Sequence, residues 1–290
     1  MSNRLKKLSF FVISLLIFFI AKGLTVQACT LWAAAGEYIQ DGGVLIAKNH
    51  DKESNQPDEM RLIIPKNGFS YLGLFPVKER KLHNIVAGIN ERGLVVINAT
   101  ASSLTSKERN TGTEDTHEKI LTSFEFVDTV LENQSIFAKS HPTFYMIADK
   151  LKIAVIEIGP RGEIAVRVTG KGVLFHTNHY IDEKLLNAYK KVDESSEIRL
   201  NRIQYLFTTH PSPLTMEDFI VFSEDRNDAP DNSIWRTGSA SKKERTMASW
   251  IVYIPKDGSP ELYVKLTHPK KPEKTYSLKL DTSFWTEGLE

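Results

Sequence analysis

Short apolar runs punctuated by turn residues dominate this chain, with one exception at its start. From Ala28 the sequence ACTLWAAAGEYIQDGGVLIAKNHD holds two apolar stretches separated by Gln40, Asp41, Gly42 and Gly43, the signature of a β-hairpin. NIVAGINERGLVVINATAS repeats it, with Asn90, Glu91, Arg92 and Gly93 at the turn. MRLIIP and FSYLGLF flank a turn at Lys66, Asn67 and Gly68, and FYMIAD, IAVIEI and IAVRVT follow one another closely. RTMASWIVYIP and ELYVKLT, joined through Lys256 to Ser259, read as a last hairpin of the core sheet. Helical spacing is found in KILTSFEFVDTVLEN, over 183–192, in EIRLNRIQYLF after the start signal Ser195–Ser196, and in TMEDFIVFSED. The polar stretch from Ser102 to Glu118 predicts a surface loop, long enough to serve as a substrate lid. Periodicity alone thus gives an α+β protein, organised as one domain over 29–290.

The exception is the continuous run Leu8 to Ile20, preceded by Arg4, Lys6 and Lys7 and broken afterwards by Lys22 and Gly23. It is shorter than the roughly 20 apolar residues that span a bilayer comfortably. A basic start, an apolar middle and modest residues at Val26, Gln27 and Ala28 predict a signal peptide over 1–28 and export to the periplasm or medium. Signal peptidase would be a partner in maturation, and Cys29 would become the first residue. A lipid-modified Cys29 serving only as a tether is the bland alternative, against which Gln27 beside Ala28 argues.

Charge changes the picture little. Lysine and arginine number 37 against 36 acidic residues, so no nucleic-acid footprint is present. Cysteine changes it more: Cys29 is the only one, which excludes an intramolecular disulfide and makes a solitary exported thiol need a reason. A terminal cysteine carries an α-amine of pKa about 7.7 to 8.0 beside a thiol of about 8.5, so the amine can act as the thiol's base. The hairpin returns Lys48, Asn49, His50 and Asp51 to the level of Cys29. His176 and His179 suggest a metal only weakly, because no further cysteine is present and their spacing falls where a strand ends. No cofactor or metal is expected.

These elements resemble the N-terminal-nucleophile hydrolases: the choloylglycine hydrolase and penicillin V acylase relatives and, more closely, the acyl-CoA:6-aminopenicillanic acid acyltransferase (peptidase C45-like) group. The likeness spans most of Cys29 to Pro255. Ala47 to Asp51 match a G-R-N-x-D-like element, with lysine in place of arginine. The resemblance implies Cys29 as nucleophile, Asp51 as orienter of the α-amine and Lys48 as the cation beside the thiol. Thr177–Asn178 look like the family's T-N element, implying Asn178 as oxyanion donor. Ungapped counting from the second hairpin points to Thr100, with Asn98 two residues earlier, as further oxyanion candidates. Arg199 matches the arginine of an S-x-x-R helix, with Arg202 the fallback if the register slips. The implied fold is the four-layered αββα sandwich.

The expected reaction is cleavage of linear amide C–N bonds in a small-molecule substrate through an acyl thioester on Cys29. Acyl transfer to an amine, a lipid-anchored non-catalytic binding protein, and a papain-like pairing of Cys29 with His179 are the alternatives. A homo-oligomer is left open, as is whether signal peptidase or self-cleavage exposes Cys29.

Overall fold

The computed structural model describes residues 28–289 apart from 54–55, 79–80, 83, 114–115, 189–191, 242 and 269. The expected leader therefore lies outside the described residues, except for Ala28. In chain order come β1 (Ala28–Ala35), β2 (Val44–Glu53), β3 (Asp58–Ile63), β4 (Tyr71–Lys78), β5 (Lys81–Leu82), β6 (Ala87–Asn90) and β7 (Val95–Thr100). Helices α1 (Ser106–Arg109), α2 (Thr116–Ser123) and α3 (Val127–Glu132) follow, then β8 (Thr143–Ala148), β9 (Ile153–Ile158), β10 (Ile164–Thr169) and β11 (Gly172–His176). The last part holds α4 (Glu194–Thr209), α5 (Met216–Ser223), α6 (Ala229–Asn232), β12 (Glu244–Ile254), β13 (Glu261–His268), β14 (Lys271–Lys279) and α7 (Thr282–Glu287).

Two antiparallel sheets result. One runs β11-β1-β2-β12-β13-β14 and the other β10-β9-β8-β7-β6-β4-β3, with β5 paired to β4. Alternation along each strand builds the layers. Leu31, Ala33, Val44, Ile46, Val95, Ile97 and Trp250 meet between the sheets. Trp32, Ala34, Leu45 and Ala47 face outward against Ile203 of α4 and Phe219 and Phe222 of α5. Val96, Tyr145 and Ile147 face outward from the other sheet against Ile120 and Leu121 of α2 and Val127 of α3. With both faces covered, β1 is buried along its whole length, which is why ACTLWAAA carries no polar alternation. The arrangement is the helix-sheet-sheet-helix sandwich of the N-terminal-nucleophile fold.

Turn chemistry follows the expected hairpins. Gly93, at φ 85°, takes the left-handed position between β6 and β7. Gly43 has no room for a side chain, since a Cβ there would lie 2.4 Å from the carbonyl oxygen of Ile254.

Three expectations are corrected. The segment from Ser102 to Glu118 is not all loop: it contains α1, capped by Thr105 with Glu108 closing the capping box, and the start of α2. The helical stretch from Lys119 to Asn133 is two helices, because the Asn90 side-chain amide donates to the carbonyls of Leu121 and Phe124 (both 2.8 Å) and ends α2 there. The β12–β13 hairpin is not the last, since β14 pairs with β13 as the sheet's edge.

Candidate active site

The site forms where β1 begins and β2 ends. Cys29 stands opposite His50, and Ala28 opposite Asp51. The Cys29 N–H donates to Asn178 Oδ1 (2.8 Å) and its carbonyl accepts from Arg199 Nη1 (2.6 Å), both away from β2. Cys29 and His50 are therefore a non-hydrogen-bonded pair, the kind whose Cα atoms approach to about 4.5 Å. Period-two alternation puts Lys48, His50 and Lys52 on the face shared with the Cys29 thiol, while Thr30, Asn49 and Asp51 look toward the helices.

Beyond β11 the polar groups interlock. Asn178 Nδ2 donates to the Thr100 carbonyl (2.9 Å), and Oδ1 accepts from Arg199 Nη2 (3.0 Å) as well as from Cys29. Arg199, fully buried on α4, also donates to Thr30 Oγ1 (2.9 Å) and to Ser195 Oγ (3.4 Å). Ser196 Oγ accepts the Asn178 backbone N–H (2.9 Å) and lies 2.8 Å from His179 Nδ1. The two serines expected to start the helix thus sit inside its first turn, behind Asp193, and brace Asn178 and Arg199.

Between the sheets lies a buried ammonium. Lys48 Nζ donates to the carbonyls of Val86 (2.9 Å) and Asn98 (2.6 Å) and to Asn98 Oδ1 (3.1 Å), and it neighbours the Cys29 thiol closely enough for each to shift the other's pKa. Burial pushes the thiol's pKa up; Lys48 opposes that, and the backbone N–H of Asp51 also stabilises the sulfur, without reversing the shift. Burial lowers the pKa of Lys48 in turn, with the thiol as the largest opposing influence. Next to it, His50 Nδ1 lies 3.1 Å from Asp58 Oδ2, and Lys52 Nζ donates to Asp58 Oδ1 (2.6 Å). Burial pulls His50 down to about 4, which leaves it neutral.

On the helix side, Asp51 Oδ1 accepts from Thr246 Oγ1 (2.8 Å). Its Oδ2 is 3.7 Å from Arg236 Nη1 and has no hydrogen-bond partner. Arg236 Nη1 in turn binds Glu244, whose pKa burial raises to about 7.

Five residues expected from the sequence, Cys29, Lys48, Asp51, Asn178 and Arg199, therefore converge on one strand end. Against this geometry stands a comparison of sequences: the description acyl-coenzyme A:6-aminopenicillanic acid acyl-transferase matches residues 39–269, most of the chain. The chain belongs to that family. Comparison with the curated proteins finds no match. Membership makes the acyl-transferase relative an enzyme of the acyltransferase and hydrolase kind, on the fold described above. The match begins after Cys29 and so does not include it.

Asn98 and Thr100 enter that site chiefly as acceptors, through oxygens that hold Lys48 and Asn178. The two residues also bound a cavity of about 360 Å³. Arg202 points elsewhere, donating from Nε and Nη2 to Asp225 (3.0 and 2.6 Å). His176 and His179 are taken up by protein groups, His176 between the Thr177 carbonyl and Glu157, and His179 by Ser196. Sequence reasoning missed Thr30, Ser196, Thr246, Arg236 and the His50–Asp58–Lys52 cluster. The signal for the last was present: three polar residues at every second position of a strand otherwise apolar on that face.

Proposed function

We propose that this acyl-transferase relative is an exported amidohydrolase in which removal of residues 1–28 leaves Cys29 as an N-terminal nucleophile. The observation that carries the reading is the hold on the Cys29 backbone: the buried Asn178 amide oxygen on its nitrogen and the buried Arg199, which also backs Asn178, on its carbonyl.

Cleavage turns the Cys29 nitrogen from a neutral peptide N–H into an amine. That amine takes the thiol proton, and the sulfur attacks a substrate amide carbon. The charged Lys48 beside the sulfur favours the thiolate. The Asn178 side-chain amide, held by Thr100, is the oxyanion donor of this reading, a contribution of about 3 to 4 kcal/mol in comparable sites. The proton passes to the departing amine, and an acyl thioester remains. Water then attacks the thioester and releases the acid, with the α-amine as base.

The family's name favours a second reading in which an acceptor amine, rather than water, takes the acyl group. Export favours water, because acyl-CoA donors are cytoplasmic.

Intact-mass analysis of the exported protein, with hydrolysis assays on N-acyl amino acids, bile-salt conjugates and penicillins, tests the proposal. We expect a chain beginning at an unmodified Cys29, and a Cys29→Ala variant without hydrolytic activity. A lipid-capped active form, or undiminished hydrolysis by Cys29→Ala, overturns it. An added amine that diverts most product to a new amide selects the transferase reading.

A further inference from the structure

Asn178 is fastened from one side by Ser196 and Arg199 of α4. A second fastening reaches it from the other sheet. Glu157 is the last residue but one of β9, and the alternation that puts Ile153 and Val155 between the sheets puts its side chain there too. A carboxylate buried in an apolar layer is costly unless its oxygens are satisfied. These are satisfied by one short stretch of chain. Glu157 Oε1 and Oε2 accept the N–H of Ile181 (3.3 and 3.1 Å) and that of Asp182 (3.2 and 3.3 Å), and Oε1 lies 3.2 Å from His176 Nε2. Arg167 Nη2 stands 3.7 Å from the same oxygen. Burial pushes the pKa of Glu157 up, but the His176 ring and the Ile181 N–H outweigh it and hold the carboxyl below its ordinary range.

The partners of Glu157 bracket Asn178. His176 precedes it, Ile181 and Asp182 follow it, and residues 177–182 belong to no strand or helix. Other contacts tighten both ends. His176 Nδ1 lies 2.9 Å from the Thr177 carbonyl oxygen, and the Tyr180 hydroxyl donates to the carbonyl of Ile158, next to Glu157 (2.8 Å). The Phe144 ring packs against His176 and Tyr180, with centroids 4.2 and 4.8 Å away. Irregular backbone has no ladder of its own to hold it, so the place of Asn178 depends on such anchors. That place matters to the site, because Asn178 Oδ1 accepts the Cys29 N–H (2.8 Å).

We propose that Glu157 is a positioning residue for Asn178: its carboxylate pins the chain on both sides of that asparagine and so sets it against Cys29. The pinning stands on the contacts themselves, and its effect on turnover rests on the amidohydrolase reading.

Glu157→Gln keeps the shape of the side chain but turns one of its two acceptors into a donor facing backbone N–H groups. Hydrogen exchange of the processed protein, followed by NMR, reads the result at the Asn178 N–H, which Glu157 does not itself touch. We expect exchange there to quicken at least about tenfold, the value of one charge-assisted hydrogen bond, while β1 and β2 exchange as before. On whichever of the N-acyl amino acids, bile-salt conjugates and penicillins the protein cleaves, kcat should fall at least about tenfold with KM changed by less than about twofold. In an Asn178→Ala background the same substitution should lower kcat by less than about twofold, because a residue that acts through Asn178 then has nothing to act on. Glu157→Asp, which keeps the charge on a shorter stem, should give the same pattern at smaller size, and it is the variant to read where the glutamine protein does not fold. An Asn178 N–H whose exchange does not respond, or a loss of kcat as large without Asn178 as with it, overturns the proposal. If none of the amides is hydrolysed while the exchange responds, the amidohydrolase reading fails and the clamp stands.

Discussion

The two flanks of Cys29 are built differently. On the β11 side, Asn178, Arg199, Ser196 and Thr30 are all bonded to one another or to the Cys29 backbone. On the β2 side, Asp51 Oδ2, His50 Nε2 and Asn49 Oδ1 are buried without hydrogen-bond partners. An unsatisfied buried polar atom costs about 1 to 3 kcal/mol, so a cluster of them marks a site kept for another group. The first flank is a finished frame that fixes where Cys29 lies. The second has acceptor capacity in reserve, and on the proposed reading Asp51, opposite Ala28, would receive the positive charge that processing creates on the Cys29 nitrogen. Frame and reserve should therefore fail in different ways when altered.

The largest effect is expected at Arg199. Arg199→Met empties the centre of the frame, leaving the Cys29 carbonyl and Thr30 hydroxyl without their donor, and should cost about 3 kcal/mol of stability. Hydrolysis should fall about a thousandfold, because both the nucleophile and Asn178 lose their position. Urea unfolding and steady-state kinetics check both; a stable variant with near-normal turnover would dissolve the distinction between frame and reserve.

Asp51→Asn should spare the fold and strike the chemistry. The amide keeps the shape and can accept from Thr246, but it cannot raise the pKa of an adjacent amine. We expect turnover to fall about a hundredfold, within the range for a group acting in proton transfer. The acid limb of the pH–rate profile should move to lower pH, because the amine, needed neutral, loses the carboxylate that stabilised its charged form. A limb that stays in place or moves up shows that Asp51 does not sense the amine.

The smallest expected effect is on stability against pH, where the flanks should behave alike. Burial depresses His50 on one flank and His179 on the other from 6.5 to about 4. Each stays neutral when folded and takes up a proton when unfolded in that window. Their contribution is thus present above pH 6.5 and lost progressively as pH falls toward about 4. His117, depressed to about 3 by burial, acts in the same direction. Replacing His50 with glutamine should remove up to one proton from the difference measured by urea unfolding across this range; an unchanged slope would show that His50 does not titrate this way.

What could be read beforehand followed from locality. The hairpins were legible because each pairs neighbouring runs through a turn whose chemistry is written in Gly42–Gly43 or Asn90 to Gly93. Lys48 and Asp51 were legible because the same hairpin returns them to Cys29. Strand β14 was missed because KPEKTYSLK lies at an open edge, mostly exposed on both faces, where no buried alternation is needed and lysines discourage further pairing. Ser195 and Ser196 carry a capping signal, yet burial against Asn178 and Arg199 gives them another task. Arg236 and Thr246 reach Asp51 from loops and strands nearly 200 residues away. Such contacts leave no periodicity, and only the assembled sheet brings them together.

The register of β1 carries a practical consequence. Ala28 supplies the rung opposite Asp51, and the rest of the strand is aligned independently of it, with β2 from Cys29 to Ala35 and with β11 from Leu31 to Ala35. On the proposed reading, processing one residue early or late would leave the sandwich whole while withholding either the amine or the sulfur of Cys29. Preparations with ragged ends would then look identical by melting temperature and solubility, and only counting live sites by titration would reveal what fraction can turn over.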